Sequence, residues 1–172
     1  MSARLGTIVW LTGLPSSGKS TLAARVADAL RVRGHDAVVV LDGDALRAAI
    51  VPAHGYDDAS RADFYETLAR VAAMLAAQGL DILVPATAHR RAYRARARAL
   101  APAGFVEVFV DTTPERCRER DAKGLYAQAA AGEGAAMLPG IGADYEAPEA
   151  PEEIVREDDR DALGRLLARL IT

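Results

Sequence analysis

The 172-residue sequence contains one cysteine, no excess of basic side chains and no long apolar run. Cys117 alone cannot form an internal disulfide, which is typical of a protein from a reducing compartment. The net charge of -3 gives no reason to expect nucleic acid as a partner. No run approaches the roughly 18 apolar residues of a membrane-spanning helix, and the first residues lack the pattern of a secretory signal. We therefore expect a cytoplasmic protein that does not bind membranes.

Internal repeats and disordered linkers are also lacking, so residues 1–172 are predicted to form a single domain. Apolar, β-rich runs alternate with helical patterns along the chain. The predicted strands are 7–12, 37–41, 80–84, 105–110 and a short run at 154–155, and the clearest predicted helices are 21–33, 60–78, 90–100 and 159–170. This alternation predicts a three-layer α/β fold, with a mostly parallel five-stranded sheet covered by helices on both faces. Ligands are then expected beyond the carboxyl ends of the strands.

The best-defined motif follows the first apolar run. Residues 13–20, GLPSSGKS, match the phosphate-loop pattern G-x-x-x-x-G-K-[ST] at every fixed position. Between a strand and a helix, the backbone N–H groups of such a loop and the helix N-terminus cradle phosphate oxygens. Lys19 is predicted to reach the β- and γ-phosphates, and Ser20 to hold Mg²⁺. The stretch therefore predicts binding of a nucleoside triphosphate.

Two carboxylates, Asp42 and Asp44, follow the second apolar run. At the carboxyl end of a strand they would lie beside the phosphate loop. One would orient a substrate hydroxyl and accept its proton, and the other would hold Mg²⁺ through water. Asp44 also suits the N-cap of the next helix, and the two roles are compatible.

Several further motifs resemble those of the adenylylsulfate kinases, which use MgATP to phosphorylate the 3′-hydroxyl of adenosine 5′-phosphosulfate (APS). They are 42–47 (DGDALR), 109–111 (FVD), 117–126 (CRERDAKGLY) and 145–148 (YEAP). The similarity runs in register from about residue 7 to about residue 155. It implies a P-loop kinase that uses ATP and Mg²⁺, has a lid at about residues 120–148 and acts on a small hydroxylated substrate. It also suggests a homodimer.

The resemblance implies roles for individual residues. The residues expected to hold the ATP phosphates and the metal are Gly13, Ser16, Ser17, Gly18, Lys19, Ser20 and Thr21. Asp42 and Asp44 would face the acceptor hydroxyl, with Asp44 as the expected base and Asp42 also at the metal. The residues expected to contact the acceptor are Arg47, Arg61 and Tyr56, the last replacing a phenylalanine that packs on the adenine. Arg120 and Lys123 would begin the lid over the nucleotides.

The sequence departs from the family pattern on the acceptor side. Phe64 stands where the family has an asparagine, and Glu66-Thr67 stands where it has an arginine pair. Thr87-Ala88-His89 replaces an Ile-Ser-Pro loop. Leu138 replaces an aromatic residue that forms one face of the adenine clamp. Losing a charge-assisted hydrogen bond costs roughly 1.5–3 kcal/mol, and losing an aromatic stack removes roughly another 1 kcal/mol. A carboxylate at Glu66 would also repel a phosphosulfate. The acceptor is therefore either APS or a different small hydroxylated metabolite or nucleoside.

Other polar residues near the predicted site have two interpretations each. His89 contacts the acceptor from the end of the third strand, or it is an exposed loop residue. Arg90, Arg91 and Arg94 contact phosphate and compensate for the lost arginine, or they belong to a solvated basic face, as is favoured for Arg96 and Arg98. Phe64 is a core residue by its helical spacing, although it too is a candidate substrate contact. The whole chain could also be a nucleotide-binding protein without catalysis, but the intact Lys19, Ser20, Asp42 and Asp44 argue against this.

Overall fold

Five parallel strands form the central sheet of the computed structural model, which describes residues 4–52, 55–121, 123–132, 138–141 and 143–171. The strands are β1 (Ile8–Thr12), β2 (Val38–Val40), β3 (Asp81–Pro85), β4 (Phe105–Asp111) and β5 (Glu153–Arg156). Their order across the sheet is β2-β3-β1-β4-β5. Every pairing between them is parallel. The predicted α/β class and all five predicted strands are confirmed.

Helices connect the strands and cover both faces of the sheet. They are α1 (Lys19–Val32), α2 (Gly43–Ala49), α3 (Asp58–Ala76), α4 (Arg91–Leu100), α5 (Pro114–Arg120), α6 (Leu125–Ala130) and α7 (Ala162–Leu170). The four predicted helices are present as α1, α3, α4 and α7, with ends shifted by a few residues. No helix in the described ranges combines the length and the apolar character needed to cross a membrane.

The continuous apolar character of β1 follows from burial on both faces. Successive side chains of a strand point to opposite faces. Ile8 and Trp10 accordingly pack in a core with α3 and α4. Val9 and Leu11 pack in a second core with α1 and α7. Since β1 lies in the middle of the sheet, its carboxyl end, where the phosphate loop begins, is surrounded by the ends of β3 and β4.

Candidate active site

A cavity of about 1250 Å³ lies at the carboxyl edge of the sheet. The predicted site residues that line it are Ser16, Ser17, Gly18, Lys19, Ser20, Thr21, Asp44, Arg47, Tyr56, Arg61, Phe64, Arg120, Lys123 and Leu138. Gly13, Asp42 and His89 are not among the lining residues. The predicted phosphate side and the predicted acceptor side therefore open into the same space.

The backbone of the phosphate loop requires glycine at both of its fixed positions. Gly13 has a φ of 150°, and a Cβ there would lie 2.5 Å from the carbonyl oxygen of Val110. Gly18 has a φ of 103° and precedes the first residue of α1. Gly18 is the N-cap of α1, and no side chain caps the first N–H groups of this helix. These N–H groups therefore remain available to bind an anion. Ser16 Oγ is buried and has no hydrogen-bond partner among the described residues, which also suits a bound phosphate oxygen.

Lys19 lies folded against this loop. Its Nζ donates to the carbonyl oxygens of Leu14 at 2.7 Å and Gly13 at 3.0 Å. The side chain is only 9% exposed, and burial lowers its pKa to about 8. At pH 7 the ammonium form still predominates, so Lys19 brings a positive charge to the floor of the phosphate loop.

Ser20 and Asp42 form an oxygen pair beside the loop, with Ser20 Oγ donating to Asp42 Oδ2 at 2.9 Å. Hydroxyl and carboxylate oxygens are ligands that Mg²⁺ prefers. Within the described ranges, no group of three or more His, Cys, Asp or Glu side chains could hold a metal on its own. Mg²⁺ is commonly held by one or two protein oxygens together with substrate phosphates. Ser20 and Asp42 therefore fit the predicted magnesium site.

The N-cap of α2 is Asp42, so the predicted cap at Asp44 is wrong. Asp42 Oδ1 accepts from the backbone N–H groups of Asp44 at 2.9 Å and Ala45 at 3.1 Å. The backbone of Asp42 is extended, whereas Asp44 already lies in the first helical turn. The carboxylate of Asp44 instead faces the cavity, where it forms an ion pair with Lys123.

Two arginines organise the acceptor side of the cavity. The Arg47 guanidinium carbon lies 3.8 Å from the ring centroid of Phe64 and 4.8 Å from that of Tyr56. Arg47 Nη1 also donates to the carbonyl oxygen of Gly55 at 2.9 Å. Arg61 is buried and donates from Nε to the carbonyl oxygen of Tyr56 at 2.7 Å. The turn before α3 is thus fixed to the two helices that carry these arginines.

Glu66 lies away from the cavity, so the predicted repulsion of a phosphosulfate is wrong. Its carboxylate accepts hydrogen bonds from Arg96 at 2.9 Å and from Arg70 at 2.7 Å. These two bonds, the Arg96 bond above all, lower the pKa of Glu66 to about 2. The register of α3 turns this position toward α4, while Arg61 and Phe64 face the cavity.

Arg94 is a packing residue of the cavity surroundings, and the interpretation of it as a phosphate contact is wrong. It is 2% exposed and donates to Glu107 Oε1 at 2.6 Å. Its other donors reach the carbonyl oxygens of Ala88 at 2.5 Å and Glu146 at 2.6 Å. The remaining arginines of the stretch pair outside the cavity: Arg90 with Asp58, Arg91 with Glu149, Arg96 with Glu66 and Arg98 with Glu152.

His89 is buried, in contrast to the alternative that it is an exposed loop residue. Its ring lies edge-on to Tyr93, and its Nδ1 has no partner among the described residues. Burial lowers its pKa to about 4, with the positive charges of Arg61 and Arg90 acting in the same direction. The side chain is therefore neutral near pH 7, and the structure places it outside the cavity lining.

The described part of the predicted lid touches the phosphate loop. Tyr126 OH donates to the carbonyl oxygen of Pro15 at 3.0 Å. Arg120 donates to the carbonyl oxygen of Ser17 at 3.2 Å and to Glu157 Oε1 at 2.6 Å. The predicted lid also includes residues 122, 133–137 and 142, which lie outside the described residues.

A further part of the cavity wall has no counterpart among the predicted site residues. It comes from the last residue of β5, the connection to α7 and the first residues of α7, and it comprises Arg156, Glu157, Asp159, Arg160, Ala162 and Leu163. This connection follows the carboxyl end of a strand, as the phosphate loop does. The rule that ligands bind at such ends would have identified it.

The chain is similar in sequence and in structure to one family of known proteins. A family model described as adenylylsulphate kinase matches residues 5–156. The adenylyl-sulfate kinase of Paraburkholderia xenovorans (strain LB400) is 39% identical over 175 residues, covering 100% of this chain and 97% of the relative. The adenylyl-sulfate kinase of Aeromonas hydrophila subsp. hydrophila is 42% identical over 146 residues, covering 84% and 73%. The structure of the Mycobacterium tuberculosis APS kinase CysC in complex with AMPPNP and APS has a TM-score of 0.86 at 38% identity, covering 98% of this chain and 96% of that one.

Proposed function

Because this chain belongs to the adenylylsulfate kinase family, we propose that it transfers the γ-phosphoryl group of ATP to the 3′-hydroxyl of APS. The observation that carries this proposal is the shared cavity. The phosphate loop and the acceptor-side residues Asp44, Arg47 and Arg61 line one space of about 1250 Å³. ATP and an acceptor bound in this space would lie next to each other, with the γ-phosphate close to the acceptor hydroxyl.

The phosphate loop supplies the donor half of the reaction. Its backbone N–H groups, the N-terminus of α1 and the hydroxyl of Ser16 bind the phosphates of ATP. Lys19 exchanges its hydrogen bonds to the loop carbonyls for phosphate oxygens. Its positive charge then stabilises the charge that develops on the transferred group.

Ser20 and Asp42 would hold Mg²⁺ at the phosphates. When bound, the metal neutralises phosphate charge and helps to orient the donor. The carboxylate of Asp42 has a second role in the protein itself, because it also caps α2. Asp42 would therefore link the proposed magnesium site to the helix that carries Asp44.

Asp44 supplies the acceptor half as the proposed general base. It accepts the proton of the acceptor hydroxyl as the phosphoryl group is transferred. Arg47 and Arg61 attract the anionic acceptor, while Tyr56 and Leu138 offer apolar surface to the adenine ring of the acceptor. Lys123 and Arg120 bring positive charge from the lid, which excludes water from the reacting groups.

A coupled assay of ADP release tests the proposal. With MgATP, addition of APS should increase ADP formation strongly over the rate without acceptor. ATP binding without stimulation by APS would show that the proposed acceptor is wrong, and screening of small hydroxylated metabolites and nucleosides would follow. ATP binding without transfer to any acceptor would support a non-catalytic protein instead. The homodimer stays a prediction, which light scattering of the purified protein tests.

A further inference from the structure

Arg47, Tyr56 and Phe64 form a contact cluster on the acceptor side, here called the Arg47 cluster. The two rings differ in their surroundings: Phe64 is 2% exposed, whereas Tyr56 is 59% exposed. The guanidinium lies nearer to the buried ring, at 3.8 Å, than to the exposed ring, at 4.8 Å. The buried ring is therefore the firmer of its two aromatic contacts.

Phe64 is a rigid support because its own position is fixed. It belongs to the core under α3, and its ring meets that of Tyr65 edge-on at 5.3 Å. A guanidinium held on the face of such a desolvated ring interacts with it more strongly than it would at an exposed site. An arginine side chain otherwise has many rotamers, and ordering it on binding weakens affinity. The contact with Phe64 lowers this entropic cost.

The cluster also lies next to the proposed base. Arg47 follows Asp44 by three residues on α2, so the two side chains share a helix face. Phe64 follows Arg61 by three residues on α3, and all four residues line the cavity. The direction of the Arg47 guanidinium therefore affects the place where an acceptor must lie to present its hydroxyl to Asp44.

We propose that Phe64 is a positioning residue that sets the affinity for the acceptor by holding the Arg47 guanidinium in its binding orientation. This inference rests on the proposed function, since it takes APS as the acceptor. An asparagine, which the family pattern has at this position, has no aromatic face to offer. The departure at residue 64 is then a different way of building the acceptor side, and not a loss of acceptor binding.

Steady-state kinetics of three proteins tests the positioning role: the wild type, Phe64→Leu and Phe64→Tyr. Leucine keeps an apolar side chain but removes the ring, and tyrosine keeps the ring face. We expect Phe64→Leu to raise the KM for APS about tenfold, which corresponds to about 1.4 kcal/mol. The KM for ATP and kcat should change far less, because an interaction equally strong in the ground and transition states affects KM alone. Phe64→Tyr should raise the KM for APS much less than Phe64→Leu does.

A double-mutant cycle with Arg47→Lys shows whether Phe64 acts through Arg47. Lysine keeps the charge but loses the planar guanidinium. In the Arg47→Lys background, Phe64→Leu should raise the KM for APS by less than about twofold, so the two effects are not additive. Fully additive effects, equal KM values for the two Phe64 variants, or a parallel loss of kcat and of ATP affinity would each overturn the inference. Absence of APS turnover by the wild type would overturn the proposed function first, and this inference with it.

Discussion

The phosphate end and the acceptor end of the cavity differ in whether backbone or side chains determine their shape. The shape of the phosphate end depends on the backbone at Gly13 and Gly18, whose φ values of 150° and 103° favour glycine. The acceptor end is made of long side chains, among them Arg47, Tyr56 and Arg61, whose directions depend on packing. A backbone site allows little change in sequence, whereas a side-chain site can be rebuilt by new contacts. The departures from the family pattern that line the cavity, Phe64, Thr87 and Leu138, lie outside the phosphate loop, whereas Glu66 and His89 do not line the cavity.

The largest expected effect is a loss of kcat at the acceptor end without a change in ATP affinity at the phosphate end. Asp44→Asn removes the proposed base but keeps a side chain of similar size and polarity. We expect kcat with APS to fall by about 10²–10⁴-fold, while the affinity for ATP changes little, because the phosphate loop is untouched. Initial-rate kinetics and ATP titration measure the two quantities.

The matched control is Asp63→Asn, which removes a carboxylate from α3 outside the cavity lining. Its kcat should stay close to that of the wild type. A kcat within threefold of the wild type for Asp44→Asn would exclude Asp44 as the base.

Asp42 contacts Ser20 and caps the helix that carries Asp44, and these two roles can be separated. Asparagine caps helices about as well as aspartate but has no negative charge for Mg²⁺. Asp42→Asn should therefore raise the Mg²⁺ concentration needed for half-maximal activity by about 10–100-fold, with little loss of stability. Asp42→Ala should in addition lower the free energy of unfolding by about 1 kcal/mol through loss of the cap. Unchanged Mg²⁺ dependence of Asp42→Asn would place the metal elsewhere.

The smallest expected effect concerns the phosphate end and pH. The pKa of Lys19, lowered by burial to about 8, means that this ammonium loses its proton between pH 7 and pH 9. Phosphate binding favours the protonated form, so the affinity for ATP should fall by about tenfold over this range. Calorimetric titration of ATP at several pH values measures the change.

Arginine stays charged throughout this range, so Lys19→Arg provides the comparison for the pH dependence. Its affinity for ATP, although different in absolute value, should vary less with pH. Equal pH profiles of the two proteins would show that Lys19 does not titrate in this way.

The sequence allowed the sheet and the phosphate end to be predicted because both follow from local patterns. Strand β1 is buried on both faces, so its run is continuously apolar, and the loop after it needs glycines at fixed positions. The cap of α2 was misplaced by two residues, from Asp42 to Asp44. Both residues are suitable caps, and only the backbone dihedral angles decide between them.

The directions of the charged side chains could not be predicted in this way. Glu66 turns toward Arg96 because α3 packs beside α4, a contact between residues 30 positions apart. Arg94 reaches the carbonyl oxygen of Glu146 across 52 positions. The family resemblance placed Glu66 near the acceptor, and a phosphate contact was one of two interpretations of Arg94. Neither spacing within a helix nor charge specifies a partner so far along the chain.

The central claim is that one cavity brings the γ-phosphate of ATP to the 3′-hydroxyl of APS. Identification of the product tests this claim most directly. Wild-type protein would be incubated with MgATP and APS, and the phosphorus-containing products resolved by ³¹P NMR and mass spectrometry. The predicted result is one ADP for each APS that gains a phosphomonoester at its 3′-oxygen. Formation of ADP with inorganic phosphate while APS stays unchanged would contradict it.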